Sequence, residues 1–213
     1  MLIRSPYALG SRLAISAERL FGCDPQGLPR LWVMTDPARH PDPEVLLEAT
    51  PSGCGFIYRH FGAANRWDIA DRLAALCRRR QITFLVSSDL ALARTVGADG
   101  VHWPERMLPR AHSARARGAT EIFTSAAHSH AALARAGSAG VDAAFLSPVF
   151  ASRSASATRP LGPRRTALLA RSVELRVHAL GGVHKKTLGR LADRGLAGLA
   201  LVDGIRSEPR IRT

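Results

Sequence analysis

The stretch from Ile82 to Trp103 constrains the fold more than any other part of the sequence. It begins with a β-branched and aromatic run, passes Asp89 into apolar residues at helical spacing, and reaches Gly97 before a second apolar run. Because Asp favours helix starts and Gly favours helix ends, this stretch predicts a strand, a helix and a second strand. Two strands joined by one helix should lie parallel, with the helix as the crossover.

The same alternation continues along the chain and predicts an α/β fold, a (βα)8 TIM barrel. Runs typical of buried strands begin near residues 31, 55, 82, 100, 121, 143, 176 and 198. The 213 residues suffice for one such domain, because eight short βα units need ~200 to 250 residues. We expect an N-terminal extension over 1–30, the barrel over 31–205 and a C-terminal tail over 206–213.

Two further segments stand out in the predicted barrel. Residues 5–21 predict an additional N-terminal helix with a structural role at the bottom of the barrel. Its apolar face would consist of Leu9, Leu13, Ala17, Leu20 and Phe21. The long polar loop over 148–163 follows the sixth strand, a position that favours a lid.

The formal net charge of +13 raises the question of nucleic-acid binding. The arginines are dispersed, and their longest run, Arg78 to Arg80, falls at a predicted helix end where cations favour the helix dipole. No aromatic residues interleave with that run. Nucleic acid is therefore not an expected partner.

The sequence also predicts a cytoplasmic protein without membrane contact. No apolar stretch approaches the ~18 residues of a transmembrane helix, and the N-terminus lacks the continuous apolar core of a signal peptide. The three cysteines are odd in number and form no CxxC pair, which favours neither a disulfide framework nor a zinc knuckle.

The candidate site follows from the barrel itself. Active sites of such barrels lie at the carboxyl ends of the strands, and phosphate commonly binds after strands seven and eight. Gly181 and Gly182 follow the predicted seventh strand, where glycine lets backbone N–H groups approach a phosphate closely. Arg59 would reach the same rim from the second strand. His102, on a predicted buried strand, is interpreted as a core residue.

Several motifs together resemble the thiamine phosphate synthase and thiazole tautomerase (TenI) family. They are VGADGVH, AHS, SPVF before a polar loop, ALGGV and GLALV, in the family's order and spacing over about residues 31–205. The resemblance implies a barrel that binds a thiazole phosphate. In the synthase members it also implies an aminopyrimidine pyrophosphate bound through Mg²⁺.

The resemblance assigns candidate residues one by one. His128 takes the position of a histidine that moves a proton in the tautomerase branch, a role that suits imidazole because it can both accept and donate a proton. The alternative for His128 is an ordinary residue at a helix start. Expected to bind substrate or phosphate are Arg59, Ser125, Ser152, Ser154, Gly181, Gly182 and Asp203. Asp203 stands where synthases have a serine, so it either turns outward as an N-cap or indicates a different ligand.

The family's magnesium ligands are replaced in this sequence. Ser88 stands at the position of the first metal aspartate and Met107 at that of the second. Mg²⁺ requires oxygen ligands and usually one or two carboxylates. We therefore expect no metal and no other cofactor.

Three functions remain open from the sequence. The first is metal-independent, tautomerase-type acid/base chemistry on a thiazole phosphate or a similar small phosphate. The second is thiamine phosphate synthesis with an altered Mg²⁺ site, and the third is a non-catalytic descendant that binds a phosphate ligand or a partner. A homo-oligomer is also an open alternative.

Overall fold

Eight parallel strands form one closed ring in the computed structural model, which describes residues 6–22, 24, 27–152, 159–192 and 194–203. The ring closes where β8 pairs with β1, with Leu199 opposite Leu31. The strands are β1 (Leu31–Met34), β2 (Gly55–Tyr58), β3 (Thr83–Ser87), β4 (Gly100–Trp103), β5 (Ile122–Ala127), β6 (Ala143–Leu146), β7 (Arg176–Ala179) and β8 (Gly198–Leu201). The predicted (βα)8 TIM barrel is confirmed.

Helices cover the outside of this ring. They are α1 (Pro6–Phe21), α2 (Pro43–Glu48), α3 (Arg66–Arg79), α4 (Leu90–Val96), α5 (Leu108–Ala116), α6 (His130–Ser138), α7 (Gly162–Arg171) and α8 (Lys185–Leu188). The sequence pattern did not reveal α7, whose first turn contains proline behind a glycine of positive φ. It also predicted one helix over residues 186–194, where the chain forms the short α8 and then the 3₁₀ turn Gly189–Leu191.

The unit β3, α4 and β4 forms for the reasons visible in its sequence. The Asp89 carboxylate accepts a hydrogen bond from the Leu92 N–H at 2.9 Å and so caps the start of α4. Gly97 ends the helix with φ 65°, in the left-handed region that glycine adopts easily. Val86 then lies opposite Val101 in the predicted parallel pairing.

The interior of the ring is filled by side chains. The cluster at its centre consists of Trp32, Met34, Ile57, Leu85, Phe145 and Ala200. Gly55 makes room for the largest of them, because a Cβ at that position would lie 2.0 Å from Cε3 of Trp32. The inside of the barrel is therefore a packed core and not a pore.

The N-terminal helix α1 is part of the packed structure. It contacts β1 and β8, the two strands that close the ring, and Leu13 and Ala17 are buried in the core. Its end lies beside the start of β1, because the Arg30 Nε donates to the Gly22 carbonyl at 2.7 Å. The predicted helix is therefore present and packs on the seam of the barrel.

Some predictions lie outside the described residues. They concern the middle of the predicted lid, including Ser154, and the C-terminal tail over 206–213. Within the part of the chain that the structure covers, no helix is long and apolar enough to cross a membrane. Cys54 and Cys77 are free and buried, and burial raises the pKa of each thiol to about 12.

Candidate active site

A cavity of about 1220 Å³ opens at the carboxyl ends of the strands. Six of the predicted site residues line it: Arg59, His128, Ser152, Gly181, Gly182 and Asp203. These residues come from distant parts of the chain, and the closed ring brings them to one mouth. We call this space the active-site cavity.

Ser125 lies outside the active-site cavity. Alternate residues of β5 face opposite sides of the sheet, so that Ala126 lines the cavity and Ser125 faces the helices. The Ser125 side chain is fully buried, and its hydroxyl has no hydrogen-bond partner in the described part of the chain. The predicted role of Ser125 in phosphate binding does not fit this position, because a one-residue step along a strand reverses the face.

Arg59 is held in place by Thr35, the residue that follows β1. Its Nε donates to the Thr35 carbonyl at 2.7 Å, and its own N–H donates to the Thr35 hydroxyl at 2.8 Å. Burial lowers the pKa of the Arg59 guanidinium, and the nearby Asp36 opposes this effect. The two terminal nitrogens make no ion pair with a carboxylate of the described residues, which leaves them available to an anion.

His128 follows β5 and is oriented by the end of β6. Its Nδ1 lies 2.9 Å from the Ser147 carbonyl oxygen, which can only accept, so Nδ1 carries the hydrogen. The Ser147 hydroxyl lies 3.2 Å from the same nitrogen. In the neutral ring, Nε2 therefore holds the free lone pair, as a general base requires.

The two glycines after β7 fit closely against the loop after β6. Gly181 and Gly182 have φ values of 90° and 63°, and a Cβ on Gly182 would lie 2.4 Å from the Ala151 carbonyl oxygen. The Gly181 carbonyl accepts from the Phe150 N–H at 3.0 Å. The N–H groups of both glycines donate to no described residue, so they are free to bind an anion.

Asp203 lines the active-site cavity and is neutralised by Arg39. One Asp203 carboxylate oxygen accepts from the Arg39 Nη1 at 2.7 Å. Arg39 also lies 3.7 Å from Asp36, which holds it after the first strand. The sequence left two alternatives for Asp203, an outward N-cap or a different ligand, and it did not reveal this arginine partner after β1.

The charges around the active-site cavity favour an anion. Three carboxylates line it in the described part of the chain, and each has an arginine partner: Arg39 for Asp36 and Asp203, and Arg135 for Glu105. Four lining cations have no carboxylate within 4.0 Å among the residues that the structure describes: Arg59, Arg106, Lys185 and Lys186. The sequence patterns did not single out the last three, which lie in the 3₁₀ turn after β4 and at the start of α8.

His102 forms part of the floor of the active-site cavity. Its Nδ1 lies 3.0 Å from the Thr124 hydroxyl, and burial, with a smaller effect of Arg59, lowers its pKa to about 3. The ring is therefore neutral at physiological pH. This agrees with its interpretation as a core histidine.

The positions of the family's magnesium ligands do not fit a metal here. Ser88 lies outside the active-site cavity, with its hydroxyl buried, and Met107 offers a thioether and packs against the core. Glu105, the carboxylate nearest to Met107 in sequence, is engaged by Arg135. Hard cations prefer oxygen ligands, and neither family position supplies a carboxylate.

Comparison with known proteins adds to this geometry. A family model described as thiamine monophosphate synthase (TMP-TENI) matches residues 31–205. The thiamine-phosphate synthase of Synechococcus sp. (strain WH7803) is 30% identical over 183 residues, which cover 83% of this chain and about half (52%) of that protein. The thiamine-phosphate synthase of Chlorobium luteolum is 28% identical over 181 residues, which cover 83% of this chain and 85% of that protein.

A solved structure shares the fold. The thiamine phosphate pyrophosphorylase from Pyrococcus furiosus superposes with a TM-score of 0.71 at 24% identity, covering 84% of this chain and 88% of that one. The family model matches residues 31–205, most of the chain, and this match shows the family. The chain belongs to the thiamine monophosphate synthase and TenI family.

Proposed function

We propose that this barrel binds a thiazole phosphate, or a similar small phosphate, and catalyses a proton transfer on it without a metal. The observation that carries the proposal is the pairing of charges in the active-site cavity. Among the described residues, every carboxylate that lines the cavity is held by an arginine, whereas Arg59, Arg106, Lys185 and Lys186 have no carboxylate partner. Such an arrangement stabilises a bound anion.

The phosphate would bind at Gly181 and Gly182. Their free N–H groups and the neighbouring Lys185 and Lys186 line one side of the active-site cavity. Arg59, on the β2 side, would bind a second anionic group of the ligand, such as a carboxylate on the ring. Ser152 lines the same cavity and would add a hydroxyl, as would Ser154 of the predicted lid.

The proton transfer would depend on His128. Because Nδ1 donates to the Ser147 carbonyl, Nε2 of the neutral ring can accept a proton from a carbon of the ligand. The imidazolium that forms would return a proton to a different ring atom, so that a double bond moves and no atom is lost. Positioning by Ser147 keeps the ring in the productive tautomer.

A binding and exchange experiment tests this proposal. Isothermal titration of the full chain with a thiazole phosphate should give saturable binding that is equal in EDTA and in Mg²⁺. In D₂O, NMR should show exchange of a ligand carbon proton with wild type and none with His128→Gln, while the variant still binds. Absence of binding, or exchange that His128→Gln leaves unchanged, would contradict the proposal. Binding without exchange in the wild type would favour the non-catalytic alternative.

Thiamine phosphate synthesis is the second candidate, because the relatives carry that name. In this chain it would require the cations of the active-site cavity to neutralise pyrophosphate where Ser88 and Met107 supply no metal ligand. An assay with a thiazole phosphate and an aminopyrimidine pyrophosphate decides between the two, since only synthesis releases pyrophosphate. A cytoplasmic location and a homo-oligomeric state stay predictions.

A further inference from the structure

His102 offers the active-site cavity a ring nitrogen that the proposed reaction does not use. It lies on β4, where Val101 and Trp103 pack toward the helices and His102 faces the interior of the barrel. The ring lines the floor of the cavity and is 5% exposed. Its Nε2 bonds to no described residue, yet unlike the Nδ1 of His178 it is not a fully buried atom. Nε2 is therefore the ring nitrogen that a ligand on the floor of the cavity can reach.

Thr124 decides which nitrogen of His102 carries the hydrogen. It lies directly opposite His102 in the pairing of β4 with β5, and its hydroxyl lies 3.0 Å from His102 Nδ1. Thr124 is fully buried, and its hydroxyl has no other partner in the described part of the chain. If Nδ1 carried the hydrogen and donated it, the hydroxyl hydrogen would be left buried without an acceptor, which costs free energy. The hydroxyl therefore donates to Nδ1, and Nε2 carries the hydrogen.

The His102 ring is fixed in place and stays neutral. It packs against the Phe145 ring in an edge-to-face arrangement, with the ring centroids 5.4 Å apart. The His102 carbonyl accepts from the Ser88 N–H at 2.9 Å and from the Ser87 hydroxyl at 3.1 Å, which holds the backbone. Burial lowers the pKa of His102 to about 3, so that the ring takes up no second proton at neutral pH. A neutral imidazole N–H donates a hydrogen bond to a ligand and keeps its proton.

The two histidines of the active-site cavity present opposite ring states. His128 donates through Nδ1 and has its lone pair on Nε2, whereas His102 accepts through Nδ1 and has its hydrogen on Nε2. They belong to neighbouring strands, since His102 lies on β4 and His128 follows β5. One cavity thus combines a proton acceptor with a neutral donor. This pair suits the removal of a proton beside an atom that gains negative charge.

We propose that His102 is a second catalytic residue, whose Nε2–H donates to the ligand atom that gains negative charge when His128 takes a proton. This proposal rests on the proposed function. As His128 Nε2 binds the proton, the C–H electron pair moves into the ring of the ligand, and a ring nitrogen or a carboxylate oxygen becomes more negative. His102 stabilises that charge through the hydrogen bond and keeps its own hydrogen. His128 then returns the proton to another atom of the ligand, so that the reaction is an isomerisation in which no atom or electron is lost.

Long-range ¹H–¹⁵N correlation spectra of the ¹⁵N-labelled full chain test the ring state without any ligand. These spectra distinguish an imidazole nitrogen that carries hydrogen from one that does not. His102 should show its hydrogen on Nε2 and a bare Nδ1, and His102→Gln assigns the signals by their loss. A hydrogen on Nδ1 of His102 in the wild type would overturn the proposal.

Exchange of a ligand carbon proton in D₂O tests the catalytic role. His102→Leu removes the donor and should slow this exchange roughly 10- to 100-fold while the thiazole phosphate still binds. His102→Gln keeps an N–H of similar reach and should restore part of the rate. His178→Gln is the matched control, because His178 is a buried barrel histidine that does not line the active-site cavity, and it should leave the rate unchanged.

Thr124→Val tests the same role with His102 itself in place. Valine keeps the shape of the threonine side chain and removes the hydroxyl that fixes the ring state. The His102 hydrogen should then distribute over both nitrogens in the NMR spectra, and exchange should slow by less than in His102→Leu. Exchange that is as fast in His102→Leu as in the wild type would overturn the role of His102 alone. A wild type that shows no exchange would overturn the proposed function together with it.

Discussion

Arg59 shows at the level of a single residue how the fold prepares a charge for a ligand. The Thr35 carbonyl takes the Nε–H, which fixes the guanidinium while its two terminal nitrogens face no carboxylate partner in the described structure. Arg59→Met should therefore weaken binding of a thiazole phosphate by roughly 10- to 100-fold, since a charge-assisted hydrogen bond contributes about 1.5–3 kcal/mol. Calorimetric titration in low salt measures the change.

A lysine at position 59 separates charge from geometry. Arg59→Lys keeps the cation and loses the planar fork, so it should restore only part of the affinity. Arg94→Met is the matched control, because Arg94 is an exposed arginine that pairs with Glu121 far from the cavity. Equal affinities of the Arg59→Met and Arg94→Met variants would show that Arg59 does not contact the ligand.

At the level of elements, the turn after β7 depends on two glycines for packing as well as for any ligand. Gly182→Ala should destabilise the fold by about 1–3 kcal/mol, because Ala disfavours φ 63° and its Cβ would meet the Ala151 carbonyl oxygen. Gly137→Ala is the matched control, since this glycine lies in α6 with open space around it. That control should stabilise the protein by up to ~1 kcal/mol. Urea unfolding of the two variants compares them directly.

Helix α1 offers a second test at this level. Ala17 is fully buried and Ile15 is 48% exposed on the same helix. Ala17→Glu should therefore cost about 3 kcal/mol or more through a buried charge and a clash. Ile15→Glu should change stability by less than about 0.5 kcal/mol. If thermal unfolding gave the two variants the same midpoint, α1 would not be part of the cooperative core.

For the whole molecule, sequence patterns predicted the strands well and the charge pairs poorly. Strands show a local signal, because each buried run such as the one at Val101 is bounded by turn residues. The pair Arg39 and Asp203 joins opposite ends of the chain, and no local pattern reveals it. The predicted phosphate-binding role of Ser125 does not fit the structure for a different reason. Motif alignment places a residue at a strand end, but the pleat of the strand decides which face of the sheet the side chain occupies.

The inside of the barrel makes the whole fold sensitive to acid. Burial lowers the pKa of His102 to about 3 and that of His178 to about 4. Burial also lowers the pKa of His60, a third buried histidine. The unfolded chain takes up these protons near pH 6.5, whereas the folded chain takes them up only at lower pH. The free energy of unfolding is therefore highest above pH 6.5 and decreases as the pH falls below that value.

The expected loss is large enough to measure. Between pH 7 and pH 5, each of His102 and His178 should lower the free energy of unfolding by roughly 2 kcal/mol.

His178→Gln removes one of these titrations and keeps a donor for the Pro29 carbonyl, which the His178 Nε2 contacts at 3.1 Å. The variant should be less stable than the wild type at pH 7 but lose about 2 kcal/mol less on going to pH 5. Urea unfolding at several pH values gives both slopes. Parallel slopes would mean that His178 is protonated inside the folded barrel as easily as in the unfolded chain, and would contradict a dry, packed interior around Trp32 and Phe145.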